Sequence, residues 1–163
     1  MIFKKDFFLL FASDFTFRYG YQIGKMPLLP YFAMILGASE ILVGTILSIS
    51  TLTGMFLKPI IGFLSDQLGR KVWLLIASIF FIFFPFMYQF VDTPTELTIL
   101  RIFHGVATAI LGPVTLALVA DMSESNSSIK MGVFGMARSA AYLFAPITAG
   151  LILNYFSIEL AFY

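Results

Sequence analysis

Cysteine is absent from the 163-residue sequence and histidine occurs once. The first absence excludes disulfides, thiolate catalysis and cysteine-based metal sites. The second leaves no histidine cluster to hold a metal. There is no HExxH pattern, no pair of catalytic aspartates and no Ser/His set on facing segments. The chain is therefore expected to be neither an enzyme nor dependent on a metal or cofactor. Charge is scarce as well: Asp, Glu, Lys and Arg make up 12% of the residues, where a soluble domain carries about 25%. A net charge of +1, with no basic run beyond Lys4-Lys5 and Arg70-Lys71, gives no case for nucleic acid as a partner. No small-residue cleavage site follows the apolar N-terminal run, which is expected to stay as a first membrane span.

What the sequence holds in abundance is apolar surface. Hydrophobic residues reach 60%, Phe occurs 20 times, and the mean hydropathy is +0.95. The apolar residues fall into blocks of about 20, the length that crosses a ~30 Å hydrocarbon core at ~1.5 Å per residue. This predicts an all-α polytopic membrane protein with the lipid bilayer as its solvent.

Five spans are expected, at 6–29, 41–61, 72–91, 97–120 and 131–155, with the start of a sixth at 158–163. Pro27 and Pro30 are expected to end the first span, and Ser39 to cap the second. Gly44, Ser48 and Gly54 on span 2 are small residues that let helix backbones approach closely. A Ser-rich loop is expected over 121–130. Lys4, Lys5, Arg70, Lys71 and Lys130 fall on one side of these crossings, Glu40, Asp92 and Glu96 on the other. Because Lys and Arg concentrate in cytoplasmic loops, the N-terminus and the 2–3 connection are expected to be cytoplasmic in a cell (plasma or inner) membrane.

The 2–3 connection reads Gly62-Phe63-Leu64-Ser65-Asp66-Gln67-Leu68-Gly69-Arg70-Lys71, a polar hinge between two greasy segments. It resembles the signature loop of the major facilitator superfamily, G-x-L-a-D-r-x-G-R-k, with Gln67 in place of the usual Arg. Arg101-Ile102-Phe103-His104-Gly105 is similar to the helix-4 motif R-x-x-q-G, with His104 where Gln is usual. Ala145-Pro146-Ile147-Thr148-Ala149-Gly150 is similar to the helix-5 motif G-P-x-x-G-G, which in full form marks drug:proton antiporters. Pro146 and Gly150 match; Ala145 and Ala149 stand where two glycines are usual.

The resemblance implies an N-terminal helix bundle of a twelve-helix fold built from two six-helix halves. It implies that this chain supplies five helices and the start of a sixth, that the C-terminal six-helix half is the missing partner, and that the chain alone transports nothing. The implied activity is alternating-access transport of a small organic solute, coupled to protons, with efflux favoured. Uptake of a sugar or organic acid is the alternative. A non-transporting sensor or accessory protein is a further one, against which the retained charges on spans 1 and 4 speak.

Those charges are the candidate site. A charge at bilayer depth costs ~3 kcal/mol on the insertion scale, so each needs a reason. Asp14 and Arg18 stand four apart on one face of span 1, either as a structural ion pair or lining a wet cavity. Arg101 and His104 share a face of span 4. Counting ~1.5 Å per residue from the membrane edge brings all four near the midplane, so Asp14 with Arg101 is expected to form the coupling pair. The resemblance implies that Arg101 takes part in proton coupling; a structural Arg bonded to helix 1 is the other role. His104 is either a proton relay or a hydrogen-bonded packing residue. At the cytoplasmic surface the resemblance implies a gating group of Gly62, Asp66, Gly69, Arg70, Lys71 and Asp121. In that group Arg70 pairs with Asp121, and Asp66 meets a helix of the second half. Arg138 is expected either to snorkel or to join the Arg70 group. Phe80, Phe81, Phe83, Phe84 and Phe86 are expected to face lipid.

Overall fold

The computed structural model describes residues 5–122 and 127–156. The expected start of a sixth span, 158–163, lies outside the described residues. The elements are helices: α1 (Lys5–Ile23), a wide turn (Gly24–Leu28), α2 (Leu29–Ile35), α3 (Glu40–Leu68), α4 (Arg70–Met87) continued by a short 3-10 turn (Tyr88–Phe90), α5 (Pro94–Asp121) and α6 (Ser127–Tyr155). Four of them are long and apolar enough to cross a membrane: α3, α4 with its extension to Phe90, α5 and α6. α1 carries Asp6, Asp14 and Arg18 and is less apolar. With α2 it makes the fifth rod of the bundle.

Local chemistry sets the helix ends. Ser39 Oγ accepts from Leu42 N at 3.4 Å and starts α3. Thr93 and Glu96 form a reciprocal capping box at the start of α5, where Pro94 takes the first helical position. Three expectations change. Pro27 and Pro30 do not end the helical rod, which resumes as α2 and runs to Ile35. A proline in the first turn of a helix loses no hydrogen bond, so Pro30 suits the start of α2. The hinge over 62–71 is not a loop either. α3 continues to Leu68 and α4 begins at Arg70, so the whole reversal falls on Gly69, whose φ of 91° suits glycine. The 121–130 stretch is shorter than expected as a connection, because α5 reaches Asp121 and α6 begins at Ser127.

α5 is the most enclosed helix, packed along α3 and α4, while α1 packs along α6. The α3–α5 contact is close because Gly54 and Gly105 stand in it. The α1–α6 contact is lined on α6 by buried Ala137, Ala141, Ala145 and Ala149, a small residue every fourth position. Three apolar clusters lie along the bundle. One around Leu29, Ile46 and Leu97 is at the Gly37 end; one around Ile61, Ile110 and Val114 is central; and one around Phe7, Val119 and Phe134 is at the Gly69 end. Large apolar side chains such as Ile41, Phe56, Phe83 and Met136 point outward. The outer surface is greasy and the polar groups sit inside, as a bilayer solvent requires. The Phe run divides. Phe83 and Phe86 are exposed, whereas Phe81 and Phe84 turn inward against the His104 ring.

Candidate functional site

Asp14 is the one buried acid among the described residues, 1% exposed. One helical turn on, Arg18 donates from Nε to Asp14 Oδ2 at 2.8 Å. From α6, Arg138 reaches the same oxygen at 3.2 Å. Arg138 Nη2 also donates to Thr115 Oγ1 at 2.6 Å and to the Gly112 carbonyl at 3.4 Å, tying α1, α5 and α6 together. Its guanidinium lies 4.9 Å over the Phe134 ring. Arg138 therefore neither snorkels nor joins Arg70; it completes a one-acid, two-base cluster. Nearby, the Tyr19 hydroxyl and Thr148 Oγ1 bond to each other, a second polar tie between α1 and α6.

Arg101 forms a separate centre. It is 1% exposed and has no carboxylate partner among the described residues. Three hydroxyls take its place: Ser50 Oγ at 2.6 Å, Tyr21 OH at 3.1 Å and Tyr88 OH at 3.4 Å. Tyr21 also presents its ring to the guanidinium, 5.5 Å away. His104 packs behind this group, with Nδ1 3.3 Å from Tyr88 OH and the Tyr21 ring 4.9 Å off. The expected Asp14–Arg101 pair is thus not formed. Tyr21 stands two turns, ~10 Å, along α1 from Asp14, and the second guanidinium at Asp14 comes from α6 instead. His104 has the surroundings of a packing residue: rings and one hydroxyl.

A cavity of about 480 Å³ opens between the two centres. Its wall carries Arg18, Lys25, Lys58 and Arg138 beside Tyr21 and Tyr142. A second cavity, about 300 Å³, lies on the other side of Tyr21 and touches Arg101 and His104. At the Gly69 end, Arg70 bridges two acids. Its Nε is 2.7 Å from Asp121 Oδ2, and its Nη2 is 3.0 Å from Asp66 Oδ1. Lys71 is exposed beside it, and the Gly62 carbonyl accepts from Ser65 Oγ at 2.8 Å. Pro146 and Gly150 lie on the outward side of α6, while Ala145 and Ala149 face α1.

The family model described as Major Facilitator Superfamily matches residues 7–163. The chain belongs to the Major Facilitator Superfamily. It is 27% identical over 162 residues to an uncharacterised MFS-type transporter of Methanocaldococcus jannaschii, covering 98% of this chain and 42% of that protein. It is 28% identical over 151 residues to the quinolone resistance protein NorA of Staphylococcus aureus, covering 93% of this chain and 37% of NorA. The chain thus spans less than half the length of these relatives, and it is a multi-pass membrane protein of their superfamily.

Two departures of this superfamily chain from the motifs now have a physical setting. Ala145 and Ala149 replace glycines on the face that packs against α1, where a methyl group still allows close approach. His104 replaces Gln in a ring-lined pocket, where an imidazole gains from edge and face contacts. Among the residues that complete the site, Arg138 was visible as an intramembrane charge whose direction was open. Tyr21, Ser50 and Thr115 carried no comparable signal, because a neutral hydroxyl costs little in a helix and is common there.

Proposed function

We propose that this chain is the N-terminal helix bundle of a secondary transporter that moves a small organic solute by alternating access. Its partner is a second six-helix half. The observation that carries this is the charged cavity at membrane depth, with Asp14 held between Arg18 and Arg138 at its edge. Charges of that cost persist inside a membrane protein where they serve a solute or ion path. Asp14 is the coupling carboxylate. A proton on it cancels the charge that Arg18 and Arg138 share, and so changes what the cavity holds. The Arg70–Asp66–Asp121 cluster is the gate. Its interactions are of the modest size that a two-state equilibrium can make and break.

The N-terminus and the Gly69 turn face the cytoplasm, and the membrane is that of the cell. Export is the favoured direction, on the partial helix-5 motif at Pro146 and Gly150 and the likeness to a quinolone resistance protein. Uptake of an organic acid is the second reading, favoured by Lys25 and Lys58 in the cavity wall.

The test is flux of a fluorescent solute panel, a quinolone included, in proteoliposomes under an imposed pH gradient. The transporter that contains this chain should move at least one solute, and Asp14→Asn should lose the dependence on the gradient. Unchanged gradient-driven flux in Asp14→Asn overturns the coupling role. The 163-residue chain by itself should move none, and flux from it alone overturns the need for a second half.

A further inference from the structure

The charges around the larger cavity do not balance. Its wall carries four cationic side chains, Arg18, Lys25, Lys58 and Arg138, and no carboxylate among the lining residues. Among the described residues the one acid behind the wall, Asp14, already serves both arginines. Among the described residues neither lysine has an ion-pair partner. Lys25 Nζ reaches only Thr51 Oγ1, at 3.3 Å, and the Tyr21 ring. The Lys58 stem lies across the glycine gap between α3 and α5, its Cε within 4 Å of the positions a Cβ would take on Gly54 and Gly112. The ammonium therefore stays at the cavity and does not retreat along the outer face. Arg18 Nη2 is buried with no hydrogen-bond acceptor. The remaining acids among the described residues lie within two turns of a helix end or in the connections: Asp6, Glu40, Asp66, Asp92, Glu96 and Asp121.

Four cations with one shared counter-charge make a site of positive potential inside a low-dielectric wall, which strengthens any attraction to an anion. The rest of the wall is uncharged: aromatic and aliphatic at Tyr21, Phe81, Leu111 and Tyr142, with neutral polar groups at Gln22, Thr51 and Thr108. At about 480 Å³ the cavity falls in the size range of small-molecule sites. We infer that this cavity binds an organic anion: a small solute with a carboxylate or sulfonate set against Lys25, Lys58 and the Arg18 guanidinium that lines the wall, and an apolar ring against Tyr21 and Tyr142. The inference rests on the reading of this cavity as the solute path.

Three naphthalene probes of one shape and different charge test it: 2-naphthoate, neutral 2-naphthamide and 2-naphthylmethylammonium. Binding is measured by equilibrium dialysis at neutral pH on the full chain in phosphatidylcholine nanodiscs, with empty nanodiscs subtracted. Naphthoate should bind about ten-fold more tightly than the amide, the size of one charge-assisted hydrogen bond. Lys25→Gln and Lys58→Gln should each cut naphthoate affinity several-fold and amide affinity by less, so that the preference narrows, while Lys58→Arg keeps the preference. If the ammonium binds best, or naphthoate and amide bind equally, the cations answer carboxylates elsewhere and the anion inference falls while the cavity stands as a solute site. If none of the three binds above empty nanodiscs, the cavity is not a solute site and both readings fall.

Discussion

Asp14 shares one negative charge between two guanidinium groups, and that sharing makes it the most consequential side chain in the bundle. Removing one partner of a buried charge pair leaves the other uncompensated, at ~3–5 kcal/mol. Arg18 and Arg138 are 16% and 17% exposed at the cavity edge, so Asp14→Asn should cost the lower end of that range, about 3 kcal/mol. Arg138→Gln should cost less, because Arg18 continues to neutralise Asp14. The double variant should be more stable than the sum of the two losses by about 1–2 kcal/mol, as coupled neighbours require. Thermal unfolding of the purified chain in detergent measures all three, and strict additivity would show that the Asp14–Arg138 contact carries no energy. Half of this cluster was readable in advance. Asp14 and Arg18 meet because four residues bring side chains together on any helix. Arg138 reaches Asp14 across 124 positions of sequence, and which way it turns depends on how α6 rotates against α1. Helical spacing carries no information on that rotation. The Arg101 centre was hidden for a related reason, since its partners are hydroxyls from three separate elements.

Among the elements, the α3–α5 pair is the closest packed, and one glycine sets the distance. A Cβ on Gly105 would stand 2.7 Å from the Ser50 carbonyl oxygen and 2.7 Å from Thr53 Cβ. Neither neighbour is the free end of a flexible chain, so the helices must part. Gly105→Ala should lower stability by about 1–3 kcal/mol, the usual cost of overpacking. It should also loosen the Arg101–Ser50 bond one turn away. Gly44→Ala on the same α3 meets nothing within 4 Å and should be neutral, or gain up to about 1 kcal/mol from helix propensity. Circular-dichroism melts of the two variants decide the matter, and equal shifts would remove Gly105 from its spacer role. Element existence was plain from the apolar blocks, since roughly 20 apolar residues admit few other structures. Element ends were not. α3 runs on through Asp66 because polar residues are at home in a helix that leaves the membrane, so only Gly69 with its positive φ breaks the rod. Residue 105 was legible as part of a motif, but its contact with Ser50 needed the crossing of two helices.

At the scale of the whole molecule the chain separates two kinds of surface, one greasy and outward, one charged and inward, and the lack of cysteine lets each be probed by a single introduced thiol. Thr51 lines the cavity beside Lys25. Phe83 is 60% exposed on the outer face of α4. Both side chains are accessible in the bare bundle, but in a bilayer only the first should meet water. A thiol reacts with maleimide as the thiolate, which forms in polar, electropositive surroundings and is suppressed in apolar ones. Thr51→Cys in nanodiscs should therefore label with a charged maleimide at least about ten-fold faster than Phe83→Cys. The two should label at similar rates once the chain is unfolded in sodium dodecyl sulfate. Adding Arg70→Gln to Thr51→Cys probes the gate against the same readout. Asp66 and Asp121 are 60% and 54% exposed, so the lost ion pairs are worth about 1 kcal/mol or less and the fold should survive intact. A conformational equilibrium balanced within that energy shifts up to about five-fold, however. Arg70→Gln should change the labelling rate at Thr51 by up to that factor while leaving the melting temperature within a few degrees. An unchanged rate with an unchanged melt would make the Arg70 cluster a solvated surface feature and not a gate.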